Sequence, residues 1–265
     1  MNRFLENRHT HTHRCRHATG TVSDYARFAA GSGARILGVT DHVPWPDDQW
    51  LGVRMSYTEL DAHVAEIEAA RAAFPGLKIL AGFECEFRPE YRAYLEDELL
   101  GRRNFRYLIG GLHWAPADGK WPYLENFVAE RRLSKYAGHA VKAMESGLFA
   151  FIAHPDLFGT WAGAWTDDAA ACARDICAAA AALNVPLEIN SYGMRKAAVK
   201  AGDSERPPYP WTPFWEIAAE YPVTVVCNSD AHEPEHLFAG IRECWALADR
   251  LGLQPADLSG LELPR

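Results

Sequence analysis

Short runs of apolar, β-branched residues alternate along the chain with longer segments in which apolar positions recur every three or four residues. The first pattern predicts buried strands, and the second predicts amphipathic helices packed over them. Strands are expected at Ile36–Thr40, Lys78–Phe83, Tyr107–Leu112, Phe149–Ala153, Leu187–Asn190 and Thr224–Asn228, with one more leading into His9. Helices are expected at Ser23–Ala34, Tyr57–Phe74, Glu90–Leu100, Leu124–Ser146, Asp167–Leu183, Pro213–Glu220 and Glu235–Leu251. Ser56, with Glu59 three residues on, has capping-box spacing, and Pro75-Gly76 closes the same helix. Strand–helix alternation of this kind predicts an α/β fold with seven βα units around a parallel sheet or barrel. Val43–Gly52, Gly159–Ala164 and Gly202–Pro213 read as loops at one rim. No linker, charge block or repeat divides the chain, so residues 1–265 are expected to form a single domain.

Composition narrows the partners. At 48% hydrophobic and 23% charged residues, the chain has the makeup of a folded globular protein. Its formal charge of −8 supplies no broad basic face for a nucleic-acid backbone, so no nucleic-acid partner is expected. Apolar runs such as Phe149–Ala153 and Val223–Cys227 fall far short of the ~20 residues a membrane span needs. The amino terminus runs from Met1 into histidines without an apolar signal segment, and six scattered cysteines show no CxxC pair. A cytoplasmic location with reduced thiols is the expectation.

Histidines carry the candidate chemistry. One histidine alone is ordinarily structural, but most of the eleven here sit just beyond a predicted strand. His9 and His11 form an HxH pair whose side chains share one face of an extended segment, and His17 follows six residues later. Later strands end in Thr40-Asp41-His42, Glu84-Cys85-Glu86, Leu112-His113, Ala153-His154-Pro155-Asp156 and Ser229-Asp230-Ala231-His232. In an α/β barrel the carboxyl ends of the strands converge on one mouth, which would gather these residues into a single cluster. Seven imidazoles with two carboxylates exceed one tetrahedral ion and suit two or three divalent ions of Zn, Mn or Fe.

The ordered series HTH…CRHA, TDH, GFE, LHW, AHPD, EIN and SDAH resembles the PHP (polymerase and histidinol phosphatase) superfamily. Gly38–Pro44, Met55-Ser56-Tyr57 and Glu188–Lys196 are most similar to its monofunctional histidinol-phosphatase branch. The resemblance implies a distorted (βα)7 TIM-like barrel with a trinuclear metal site at the carboxyl strand ends. It gives one ion to His9, His11, Glu84 and Asp230, a second to Glu84, His113 and His154, and a third to His17, His42 and His232. It also implies phosphomonoester hydrolysis, with L-histidinol phosphate giving L-histidinol and phosphate through a metal-activated hydroxide, as a step of histidine biosynthesis. Another small phosphate ester, a nucleotide or a cyclic phosphodiester is the alternative substrate, and a nucleic-acid-processing module is the more distant one.

Asp230, Glu84, His232 and Arg195 are expected to act in catalysis, and Arg195, Asn190, Glu86 and Arg16 to contact the small phosphorylated substrate. Arg195 offers a planar pair of donors for phosphate, whereas Lys196 is expected to face elsewhere. Asp41 and Asp156 are expected to accept from ligand imidazoles, and Cys15 to be a packed thiol. Asn7 stands where the family has an aspartate before HxH, and a register shifted to His11 and His13 is rejected on the His11-to-His17 interval. Trp45, Trp50, Trp114, Trp121, Trp161, Trp165 and Trp211 fall in loops where they could wall a pocket. His63, His139 and His236 fall within helical stretches and read as structural or solvated.

Overall fold

In the computed structural model, which describes residues 3–202 and 204–262, the apolar runs become parallel strands. Met1, Asn2 and Asp203, the last within the expected Gly202–Pro213 loop, lie outside the described residues. The strands are β1 (Glu6–Asn7), β2 (Ile36–Val39), β3 (Lys78–Cys85), β4 (Tyr107–Gly110), β5 (Phe149–Ile152) and β6 (Leu187–Asn190). Next come β7 (Val199–Ala201) and β8 (Ser204–Arg206), a separate antiparallel hairpin, and then β9 (Thr224–Asn228) and β10 (Gln254–Pro255). The main sheet has the order β1-β2-β3-β4-β5-β6-β9-β10, every neighbouring pair parallel. Beyond β1 the chain crosses to the end of β9, where Thr10 pairs with Ala231 and the His11 N–H donates to the Ala231 carbonyl at 2.9 Å. The sheet therefore curls into a distorted barrel whose carboxyl strand ends are drawn together.

Helices α1 (Val22–Gly31), α2 (Leu60–Ala73), α3 (Ala129–Glu145), α4 (Asp167–Leu183), α5 (Thr212–Ala218) and α6 (Ile241–Leu251) cover the outside. The Ser56–Glu59 capping box forms as expected and starts the turn into α2. Among the described residues no helix is long and apolar enough to cross a membrane.

Alternation explains the sheet. Inward-facing Ile36, Leu80, Tyr107, Ile109, Phe151, Ala153 and Val226 form one buried cluster inside the barrel, against which Ala256, Leu258 and Leu261 pack. Their neighbours Leu37, Ile79, Ala81, Leu108, Ile152 and Val225 point outward and pack with the helices. Hydrocarbon thus fills one end of the barrel, and the inward positions farther along each strand are polar.

Several expected helices break. Leu124–Ser146 is a turn at Leu124–Asn126 followed by α3, because Phe127 and Val128 are extended between them. Glu90–Leu100 becomes a turn at Pro89–Tyr91 and a π-helix at Tyr94–Arg102, a widening that a 3.6-residue periodicity does not reveal. Glu235–Leu251 is interrupted at Gly240, whose φ of +77° suits glycine and where a Cβ would meet Ser191 Cβ at 2.5 Å. The Gly202–Pro213 loop includes β8, and the seven expected strands gain the short β10.

Candidate active site

On β3 the inward face passes from Leu80 through Gly82 to Glu84, so the strand that fills the barrel with hydrocarbon delivers a carboxylate at its rim. Gly111 makes room for it: a Cβ there would lie 2.9 Å from Glu84 Oε1. The bends after β5 and β9 put His154 at φ +30° and Asp230 at φ +49°, conformations that residues with a Cβ rarely adopt. His9, His11, His42, Glu84, His154, Asp230 and His232 are all buried.

Four donor atoms converge. His9 Nε2 lies 3.1 Å from His11 Nε2, 3.5 Å from Glu84 Oε2 and 3.6 Å from Asp230 Oδ1. His11 Nε2 lies 3.4 Å from Glu84 Oε2 and 3.1 Å from Asp230 Oδ1. A cation with bonds of about 2.1 Å sets tetrahedral ligands about 3.4 Å apart, so these spacings fit one ion. Glu84 turns its other oxygen elsewhere: Oε1 lies 2.9 Å from His154 Nε2 and 3.7 Å from His113 Nε2, while Oε2 is 3.2 Å from His42 Nδ1. One carboxylate facing two donor groups is the arrangement of a bridge. His17 stands at the outer side, its ring centroid 5.5 Å from His42 and 4.8 Å from His232. Nitrogens of His11 and His232 and the sulfur of Cys15 also lie within 4.8 Å of one another, which puts that thiol at the edge of the donor set.

Surrounding groups aim these donors. Glu188, central in β6 and fully buried, accepts from His9 Nδ1 at 2.9 Å and from Asn228 Nδ2 at 2.8 Å on Oε1. Its Oε2 accepts from the His154 N–H at 3.1 Å and from Asn190 Nδ2 at 2.8 Å. With the Nδ1–H committed to Glu188, a neutral His9 presents its Nε2 lone pair to the cluster, 3.1 Å from His11 Nε2, where it can serve as a metal ligand. Asn7 Nδ2 donates to Ser229 Oγ at 2.6 Å and to the Leu237 carbonyl at 2.7 Å, so this position needs an amide donor that aspartate would lack. Asp41 accepts from the Thr12 N–H at 2.7 Å and fixes the HxH loop.

Charge balance suits the same reading. Although burial opposes ionisation, His113, His9 and His42 hold Glu84 well below the usual carboxylate range, and His9 and His11 do the same for Asp230. Burial keeps His42 well below its ordinary value and, with His11, takes His232 down to about 3. Burial works against protonating His9, yet Glu188, Asp230 and Glu84 raise it well above its ordinary value. The site therefore attracts positive charge at its centre, and the buried His11 Nδ1, His42 Nδ1, His154 Nδ1 and Asp230 Oδ1 have no hydrogen-bond partner. Nitrogen and carboxylate donors so placed fit divalent ions.

A cavity of about 150 Å³ opens over the cluster, walled by Val53, Trp114, Tyr123, Leu157, Tyr192, Lys196 and Tyr209. The four expected substrate contacts lie outside this lining. Arg195 donates to the carbonyls of Ser191 at 3.3 Å, Ala239 at 3.1 Å and Ser229 at 2.6 Å, which occupies its guanidinium in holding loops. Lys196, expected to face away, stands at the cavity mouth, with Nζ 4.6 Å from the Tyr192 ring centre and 5.7 Å from that of Tyr209. Arg16 pairs with exposed Glu59. Glu86 accepts from His113 Nδ1 at 3.1 Å and lies 3.4 Å from buried Arg54, and Asn190 Nδ2 donates to Asp230 Oδ2 at 3.1 Å; both position cluster residues.

Other readings shift too. Asp156 accepts from the Trp211 N–H at 2.6 Å and Trp215 Nε1 at 2.9 Å, and Asp41 from Thr12, so neither takes a ligand imidazole. His13 is exposed with Nδ1 3.2 Å from the Gly20 carbonyl, away from the cluster. Of the loop tryptophans, Trp114 lines the cavity with Trp50 stacked behind it at 4.6 Å, while Trp45 and Trp211 are core. Sequence reasoning gave Glu188 no role, although an acid inside a buried apolar run was a visible signal.

A family model for the PHP domain matches residues 7–192. The chain belongs to the PHP family. A Deinococcus radiodurans protein named "Probable histidinol-phosphatase" is 34% identical to this PHP chain over 239 residues, 85% of each sequence. The HisK structure from Listeria monocytogenes superposes with a TM-score of 0.72 at 18% identity, over 90% of this chain and 99% of its own. Histidinol phosphate phosphatase from Lactococcus lactis, solved with zinc, L-histidinol and phosphate, gives 0.71 at 16% identity, over 96% and 97%. At those identities the two structures establish the shared PHP barrel.

Proposed function

We propose that this PHP protein is a single-domain, metal-dependent phosphomonoesterase that hydrolyses L-histidinol phosphate to L-histidinol and phosphate. One observation carries the reading: the two oxygens of Glu84 face separate sets of imidazoles at ion-ligand spacing, beneath a small cavity. The names of the Deinococcus and Lactococcus relatives support the choice of alcohol. His9, His11, Glu84 and Asp230 would hold one ion, Glu84, His113 and His154 a second, and His17, His42 and His232 a third, of Zn, Mn or Fe. Bound there, such ions would supply Lewis acidity that lowers the pKa of water and neutralises phosphoryl charge.

The chain's own residues do the rest. Lys196 would contact a phosphoryl oxygen at the mouth, with the Tyr192 and Tyr209 rings fixing the ammonium. Trp114 and Tyr123 would wall the organic part of the ester and displace water from it. Glu188, Glu86 and Asn190 keep His9, His113 and Asp230 in their orientations.

Phosphate release from a panel of histidinol phosphate, simple alkyl phosphates, nucleotides and a cyclic phosphodiester tests this. The expected result is a preference for histidinol phosphate, with kcat/KM above about 10⁴ M⁻¹s⁻¹, lost on chelation and restored by divalent metal. A kcat/KM below about 10² M⁻¹s⁻¹ for that ester would overturn the substrate, and activity indifferent to chelation would overturn the chemistry.

A further inference from the structure

Four tyrosines are buried among the described residues: Tyr25, Tyr107, Tyr136 and Tyr209. The first three give their hydroxyls to backbone carbonyls, of Ala231 at 3.2 Å, Arg8 at 2.6 Å and His154 at 3.2 Å respectively. The Tyr209 hydroxyl bonds to no described residue, although a buried hydroxyl left unpaired is costly. Nor is its oxygen one of the sealed, unpartnered polar atoms of the interior, so the 1% of this residue that stays accessible includes the hydroxyl. Tyr209 lines the cavity over the imidazole cluster, and its hydroxyl therefore opens there.

Close packing fixes the ring. A Cβ on Gly193 would lie 2.1 Å from the Tyr209 carbonyl oxygen and 2.6 Å from its ring Cδ2, and one on Gly159 would lie 2.2 Å from the Pro208 carbonyl oxygen. Arg206 ties the same segments together, donating to the carbonyls of Pro208 at 3.0 Å and Gly159 at 2.9 Å. Within the cavity Tyr209 stands between floor and mouth, its ring centre 6.0 Å from that of His154 and 5.7 Å from Lys196 Nζ. Tyr123 and Tyr192 also line the cavity, but both are only half-buried, and Tyr192 lies flat on the His232 ring at 4.4 Å. A donor held this firmly is placed before the substrate arrives.

We propose that the Tyr209 hydroxyl is a catalytic donor that protonates the ester oxygen of the substrate as the alcohol departs, an assignment that rests on the phosphomonoesterase reading above. Entering and leaving oxygens lie roughly in line across phosphorus. Water entering from the floor, beside Glu84, directs the ester oxygen away from the cluster towards Tyr209 and leaves the charged phosphoryl oxygens to Lys196. The water oxygen bonds to phosphorus and keeps one proton, the other passing to solvent. The bond from phosphorus to the ester oxygen breaks with its electron pair on that oxygen, which takes the phenol proton, and the phenolate recovers one from solvent. A phenol is protonated at neutral pH and is a stronger acid than an aliphatic alcohol, so transfer to the departing alkoxide is downhill.

The test compares zinc-loaded wild type and Tyr209→Phe on histidinol phosphate, on simple alkyl phosphates and on p-nitrophenyl phosphate, whose leaving group departs as a stable anion and needs no proton. Phenylalanine keeps the ring and removes only the hydroxyl, so metal content and thermal melt should match the wild type. The ratio of alkyl to p-nitrophenyl kcat/KM is expected to fall about 100-fold in the variant, the loss typical of a missing proton donor. Across the alkyl and aryl series, the dependence of rate on leaving-group acidity should steepen. An unchanged ratio in the variant, whether both esters slow equally or neither slows, would overturn the role of Tyr209 while the phosphatase reading stands. Loss of metal or a lowered melt in Tyr209→Phe with that same unchanged ratio would make the residue structural. A wild type that releases phosphate from none of these esters would sink the phosphatase reading, and the proposal with it.

Discussion

Glu188→Gln is a nearly isosteric change at a fully buried carboxylate, so its consequences are electrostatic rather than steric. If the amide nitrogen replaces Oε1, the donors His9 Nδ1–H and Asn228 Nδ2–H face another donor; if it replaces Oε2, the His154 N–H and Asn190 Nδ2–H do. Either way two buried donors lose their acceptor, at about 1–3 kcal/mol each, or about 2–6 kcal/mol together. For a chain of this size that lowers Tm by at least about 4 °C. In the first orientation His9 loses the acceptor that keeps its Nε2 lone pair on the cluster, and in the second the backbone of His154 and the Asn190 side chain that holds Asp230 lose theirs. Loss of such an orienting partner lowers metal affinity about 10–100-fold. Calorimetric melts, paired with zinc affinity measured against a competing chelator, read both effects. A variant whose Tm lies within about 1 °C of wild type and whose zinc affinity lies within about twofold would refute the assigned role of Glu188.

Three further outcomes are expected. Lys196→Ala should raise KM about three- to tenfold with Tm unchanged, whereas Arg195→Ala should lower stability by about 2–4 kcal/mol through three released carbonyls; steady-state kinetics beside thermal melts separate them. Burial pushes the Asp156 carboxyl up to about 6 against the pull of the Trp211 and Trp215 N–H donors. The folded protein then holds this proton more tightly than the unfolded chain, so Asp156's contribution to stability falls as pH rises from about 4 through about 6 and is flat above. Asp156→Asn should flatten that slope in denaturant titrations, and an unchanged slope would contradict it. Phe151→Ala, inside the barrel, should cost about 3–5 kcal/mol in chemical denaturation while metal stoichiometry stays as in wild type.

Much of the barrel was legible because the parallel strands are apolar on both faces and end in chemically distinctive residues. Leu80 and Glu84 share an inward face by simple alternation, and that alternation placed the cluster at one rim. Helix interruptions were not legible, since Phe127 and Val128 continue an apolar period while their backbone is extended. Which side chains line the cavity was not legible for a related reason. Arg195 and Lys196 are adjacent, and the turn at Tyr192–Arg195, rather than residue type, decides which one reaches the cavity. Glu188 was legible in principle as an acid in a buried run, but its partners Asn190 and Asn228 come from one strand and its neighbour in the sheet, a pairing visible only after folding.

Anomalous diffraction from crystals of the metal-loaded protein, collected at the zinc, iron and manganese edges, bears on all of this at once. Peaks are expected on both sides of Glu84, one shared with His9, His11 and Asp230 and the next with His113 and His154. Full metal content with no peak touching Glu84 would contradict the account.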